Sequence, residues 1–140
     1  MMVTLSISQQ HLHELKRIAK ECYPKEACAL LEGTMRTIND KSDHKQANVL
    51  AILCMRNADE SIHSFRIDSN DLIRAYLDIG SRNREVVGIF HSHASEAYPS
   101  LTDRKYMAIN PVVWLIYSTM SNQFAAFTID DVVVQVELES

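Results

Sequence analysis

Four short apolar runs constrain the fold of this 140-residue chain most: Ala27 to Leu31, Val49 to Met55, Val86 to His91 and Val112 to Tyr117. Each is shorter than an ordinary helix and reads as a buried strand. The first is expected to close at Gly33, and the last opens after Pro111. Phe65 and Ile67 alternate with Ser64 and Arg66, which predicts a half-buried strand over His63 to Ile67. Strands near Phe124 to Ile129 and Val132 to Leu138 finish the chain.

Amphipathic segments separate the early strands. Leu12, Leu15, Ile18, Ala19 and Cys22 follow helical spacing behind Ser8, an N-cap, with Ile7 and Leu12 stapled across it, and Pro24 ends the run. A second helix is predicted from Asn70 to Ile79, capped by Asp68 or Ser69 and stopped by Gly80. Its buried stripe is expected to be Leu72, Ile73, Tyr76 and Leu77. Gly33 to Asn48 is the most polar segment, expected to be mobile, with a turn cluster at Asn39, Asp40, Lys41, Ser42 and Asp43. Helices thus interleave with strands early, and strands crowd the C-terminal half. The fold class is α/β, or α+β, in one domain over residues 1–140.

Charge and composition narrow the function. Fourteen Lys and Arg against eighteen Asp and Glu leave a net charge of -4, and without a basic run nucleic acid is not the expected partner. No apolar stretch approaches the roughly 20 residues that cross a bilayer, and no signal pattern opens the chain, so no membrane partner and a cytoplasmic location are expected. Cys22, Cys28 and Cys54 form no CxxC pair. They read as reduced thiols, each a small buried hydrophobe.

The chemistry is concentrated at Phe90-His91-Ser92-His93, followed ten residues later by Asp103. Residues two apart on a strand share a face, so His91 and His93 project together from a strand end. Two imidazoles and a carboxylate are a usual protein ligand set for catalytic zinc. Ser100, Thr102 and Asp103 read as the opening of a helix, a favourable place for an anion. A zinc hydrolase also needs a base that does not ligate the metal. Glu26 is the best candidate, because a charge on the lip of a buried strand needs a reason. Ser100 is placed either to cap the helix or to offer its hydroxyl to an oxyanion. His11, His13, His44 and His63 read as non-functional, and Trp114 and Tyr117 as core.

Taken together, Glu26, His91-Ser92-His93 and Ser100-Leu101-Thr102-Asp103 resemble the signature of the JAMM (MPN+) zinc metalloproteases. Pro24-Lys25-Glu26-Ala27-Cys28 is similar to the family's approach to its first strand, and Glu96 to Asp103 looks most like bacterial members acting on sulfur-carrier proteins. The resemblance implies a mixed, curved β-sheet flanked by helices, layered as in cytidine deaminases, with zinc at one edge. It implies His91, His93 and Asp103 as zinc ligands, Glu26 as general base and Ser100 as oxyanion stabiliser. The implied activity is peptide or isopeptide hydrolysis at the C-terminal tail of a ubiquitin-like or sulfur-carrier protein, the tail lying extended along a sheet edge. Three departures stand out: six residues separate His93 from Ser100 where the family usually has seven, Ala94 replaces a Pro, and Ala29 replaces a Gly.

Two other readings compete. Non-catalytic MPN-type scaffolds lack the ligands that this chain keeps. The RadC type carries a similar HxH and Asp, usually with Asn where this chain has Ser92. Zinc deaminases are excluded because no Pro-Cys-x-x-Cys accompanies the histidines.

Overall fold

The structure, a computed structural model, describes residues 2–38, 41–59, 61–130 and 132–140. Its elements are β1 (Met2–Ser6), α1 (Gln9–Cys22), β2 (Cys28–Ile38), β3 (Lys41–Met55), α2 (Ser69–Ser81), β4 (Glu85–His93), α3 (Leu101–Ile109), β5 (Val113–Ser118), β6 (Gln123–Asp130) and β7 (Val132–Glu139). The strands form one mixed sheet in the order β1-β3-β2-β4-β5-β6-β7, closed by parallel pairing of β1 with both β3 and β7. β2 runs antiparallel between β3 and β4. β4 and β5 are parallel, a pairing that needs a crossover, and α3 supplies it.

Helices cover both faces of the sheet. On one, Leu12, Leu15, Ile18 and Ala19 of α1 pack with Leu31, Val87, Phe90, Leu115 and Tyr117. On the other, Ala75 and Ile79 of α2 and Met107 of α3 pack with Leu30, Ile89, Trp114, Ile116 and Phe127. Alternate residues of β4 feed the two cores, which is why that strand is an unbroken apolar run.

Several expectations are corrected by packing. β2 does not close at Gly33 but continues through a bulge there; a Cβ on Gly33 would lie 1.8 Å from the Asn48 carbonyl oxygen of β3. The polar stretch after it is a strand pair, with Lys41, Ser42 and Asp43 already in β3. Asn39 and Asp40 of the expected turn lie outside the described residues. Val49 is buried, but Leu50 and Cys54 are exposed, so Val49–Met55 is a partly covered strand. His63 to Ile67 forms no strand; its polar backbone is instead held by the side chain of Asn57.

The helices need similar adjustment. Ser8 caps α1 as expected, its Oγ accepting from the His11 N–H, but Cys22 is exposed. Asp68 caps α2 and Leu72 packs against the core as expected, yet Ile73 and Leu77 are 58% and 71% exposed, Tyr76 is exposed too, and the fully buried positions are Ala75 and Ile79. Gly80 does not stop the helix, which runs on to Ser81; Asn83 takes the left-handed conformation that turns the chain, φ 57°. Arg82 and Arg84, on either side of it, bind the buried carboxylate of Glu32. All three cysteines are free, but only Cys28 is buried. None of the helices among the described residues is long and apolar enough to cross a membrane.

Candidate metal centre

Strand parity assembles the site. Ile89, His91 and His93 share the face of β4 that looks toward α2 and α3. β2 pairs with β4 so that Cys28 opposes His91, and the same antiparallel register continued by two residues sets Glu26 across from His93. Ser92, on the opposite face, locks this alignment: its backbone N–H donates to the Ala27 carbonyl and its Oγ accepts from the Ala27 N–H at 2.9 Å. At the end of β5, the Thr119 N–H donates to the His93 carbonyl at 2.9 Å, so the second histidine is held from both neighbours.

The fourth residue arrives on a helix start. Ser100 caps α3 in a reciprocal box: its Oγ accepts from the Asp103 N–H at 3.0 Å, and Asp103 Oδ2 accepts from the Ser100 N–H at 2.9 Å. The box turns the Asp103 carboxylate back toward β4. Oδ2 then lies 3.0 Å from Nε2 of His91 and 3.0 Å from Nε2 of His93, and the two nitrogens are 2.9 Å apart. All three residues are buried.

This triangle fits a metal. Ligands on a tetrahedron with bonds of about 2.0–2.1 Å stand about 3.3 Å apart, close to the separations seen. Two imidazole nitrogens facing one carboxylate oxygen also leave more lone pairs than protons at the centre whenever the imidazoles are neutral. Burial, the largest influence, holds His91 below the ordinary histidine range, against the pull of Asp103. Burial also opposes charge on His93, but the hydrogen bond and charge of Asp103 outweigh it and the net shift is upward. Burial likewise works against an ionised Asp103, yet the hydrogen bonds from both imidazoles hold it well below the carboxylate range. Nδ1 of His93 lies 3.1 Å from the Glu96 carbonyl, the outer contact that fixes a ligating ring. Nδ1 of His91 is buried without a partner. Its ring is fixed by stacking on Phe65 at 4.6 Å and by the edge of Trp114 at 5.7 Å.

Glu26 stands beside the triangle. Its ligand oxygen and those nitrogens of His91 and His93 lie within 4.8 Å of one another, so these three are a second possible metal-binding group. Oε1 of Glu26 is buried with no hydrogen-bond partner. Burial pushes its carboxyl up to about 7, with His93 pulling it down and Asp103 pushing it further up. Glu26, His93, Ala94 and Ser100 line a cleft of about 340 Å3 that also takes in Tyr23, Ile62 and His63.

The structure therefore brings together all five residues singled out in the sequence. Sequence reasoning missed their supports. Asn57 donates to the carbonyls of Glu26 and Ser64 and accepts from Arg66, tying the base to the loop that carries Phe65. Its only local sign is a turn-forming Asn-Ala-Asp. Ser92 and Phe65 bear no local sign of this role, because their partners lie far off in the chain. His63, which reads as non-functional in the sequence, lines the same cleft.

Comparison with known proteins agrees with this geometry. The chain is 33% identical over 114 residues to the desampylase of Pyrococcus furiosus, covering 81% of this chain and 73% of that one. It is 31% identical over 102 residues to the CysO-cysteine peptidase of Mycobacterium tuberculosis, covering 72% of this chain and 64% of the relative. The solution structure of a protein from Desulfitobacterium hafniense superposes with a TM-score of 0.78 at 28% identity, over 99% of this chain and 94% of that one. Residues 8–130 match the family described as prokaryotic homologs of the JAB domain, and the chain belongs to that family.

Proposed function

We propose that the chain is a zinc-dependent peptidase or isopeptidase that cleaves at the C-terminus of a ubiquitin-like or sulfur-carrier protein. The observation that carries this reading is the buried triangle of His91, His93 and Asp103 with the unpartnered carboxylate of Glu26 beside it. The names of two relatives, a desampylase and a CysO-cysteine peptidase, support the substrate class. A scaffold role would give no reason for burying three ligand-type side chains within about 3 Å of one another.

His91, His93 and Asp103 would hold the zinc. When bound, zinc acidifies a water and polarises the scissile carbonyl. Glu26, with its carboxyl near 7, is matched to take a proton from water and return it to the leaving amine. Ser100 uses its oxygen to accept from the Asp103 N–H, which leaves its O–H able to donate to a developing oxyanion. The closed sheet modifies where a tail can lie: β1 pairs with β3 only through Asn48, so Val49–Met55 has β2 alone as its paired neighbour among the described residues. An extended tail there would lead toward Glu26, since Met55 pairs with Cys28. The free state of the three cysteines fits a cytoplasmic enzyme.

The test is metal content by elemental mass spectrometry. We expect about one zinc per chain, lost in His91→Ala and retained in Glu26→Gln. The Glu26→Gln protein should then capture from lysate a small protein with a flexible, Gly-rich C-terminus. No zinc in the unmodified protein after reconstitution, or capture of nucleic acid alone, would overturn the reading.

A further inference from the structure

The cleft does not end at the metal centre. Tyr23 and Ala94, which line it beside Glu26 and His93, also line a second depression with Tyr117, Thr119 and Met120. Lys20 lines both that depression and a third, which His13, Lys16, Arg17 and Glu21 also line. Three adjoining depressions, which share these residues, thus form a groove from the candidate metal centre to the exposed face of α1.

On α1 cations outnumber anions along the depression: Lys16, Arg17 and Lys20 stand against Glu21 alone. His13, Lys16, Arg17 and Lys20 sit three and four residues apart, on one helix face. Arg17 is already paired with Glu21 at 2.8 Å. Lys16 and Lys20 form no salt bridge among the described residues. The ammonium of Lys16 lies 5.9 Å from the centre of the Phe124 ring. Two uncompensated ammonium groups at the end of a groove stand against a chain whose net charge is -4. Met120 and Tyr23, 63% and 61% exposed, supply apolar rims between these cations and the centre.

We propose that α1 carries a charge-selective subsite, formed by Lys16 and Lys20, that receives an acidic stretch of the polypeptide whose scissile bond lies at Glu26 and His93. The inference rests on the peptidase reading for what occupies the cleft, but its own content is the charge of the segment bound on α1. Screening confines the attraction to about 8 Å at physiological ionic strength, so the acidic residues must lie in the groove itself.

Binding tests it without requiring turnover. Fluorescein-labelled peptides built on Gly-Gly, with a run of glutamates, serines or lysines on either flank, are titrated against the purified protein by anisotropy at low and physiological salt. The glutamate peptides should bind about tenfold more tightly than the serine peptides, less so as salt rises. The Lys16→Glu/Lys20→Glu protein should reverse the order, and the milder Lys16→Ser/Lys20→Ser protein should abolish it. Arg74→Glu, which shifts the net charge as much as the double serine protein but on exposed α2, should leave it unaltered. Equal binding of all three peptides, or a preference that survives both double substitutions, would sink the proposal. Cleavage assays on the same peptides separate the two ideas. Acidic binding on α1 without cleavage leaves the subsite standing and the peptidase reading fallen; cleavage without charge preference does the reverse.

Discussion

Asp103 shows how much one side chain can be asked to do. Its Oδ2 meets two imidazole nitrogens at 3.0 Å and the Ser100 N–H at 2.9 Å. A helix start favours its charge as well. Asp103→Asn keeps the shape but loses one acceptor's charge, so zinc content should fall well below that of the parent protein, with little change in circular dichroism. Ser100 is coupled to it through the capping box. Ser100→Ala should cost about 0.5–2 kcal/mol of stability, read as a lower urea midpoint, and also slow turnover; Ser100→Thr should recover the midpoint. A midpoint shift in Ser100→Ala with turnover unchanged would leave Ser100 as a cap and nothing more. At this scale the sequence was legible where the chemistry is local. His91 and His93 share a face by strand period, and Ser100 with Asp103 is a capping pattern three residues long. Glu26 was legible as a charge needing a reason. Ser92, Asn57 and Phe65 were not, because their partners lie 65, 31 and 26 residues away in the chain.

At the scale of elements, α2 is the instructive case. Leu72, Ile73, Ala75, Tyr76, Leu77 and Ile79 offer two overlapping apolar stripes, and periodicity favours the one with the larger side chains. Packing chose the other, in which the small Ala75 lets the helix approach the sheet and Ile79 reaches the core. Ile79→Ala should therefore cost about 2–5 kcal/mol, whereas Leu77→Ser should stay within about 0.5 kcal/mol of the parent, both measured by denaturant unfolding. The turn after α2 holds a second consequence. Glu32 is held below the ordinary carboxylate range first by its hydrogen bond to Arg82, then by Arg84, against the opposing effect of burial. A depressed carboxyl contributes stability above its unfolded value of about 4.3, and that contribution is lost as pH falls through the lower folded value. Glu32→Gln should thus be less stable than the parent at neutral pH, and the gap should close as urea midpoints are followed into acid. A gap independent of pH would mean that the Arg82 and Arg84 contacts act by shape alone.

Over the whole molecule, the β2–β4 pairing and the crossover from β4 to β5 bring the start of β2, the end of β4 and the start of α3 to one place. A metal that binds this arrangement and not the unfolded chain stabilises it by mass action, about 2.7 kcal/mol at a free concentration one hundred times Kd. Chelation should lower Tm and zinc should restore it, with His91→Ala indifferent to both. Trp114, the only tryptophan, lies 5.7 Å from the His91 ring and should report the same transition by its fluorescence. Unchanged Tm and emission on adding zinc to chelated protein would refute the centre. The sequence by itself determined what short-range geometry can encode: six of the seven strands among the described residues, the starts of three helices, and the paired histidines. One exception there is His63 to Ile67, where alternation suggested a strand and Asn57 supplied the hydrogen bonds instead. Tertiary structure alone decided the pairing of β1, the passage of β2 through Gly33, the buried face of α2, and the closure of the sheet through β1. The physical reason is range. Periodicity and capping act over three or four residues, whereas strand register, helix face and closure are selected by burying the whole core at once.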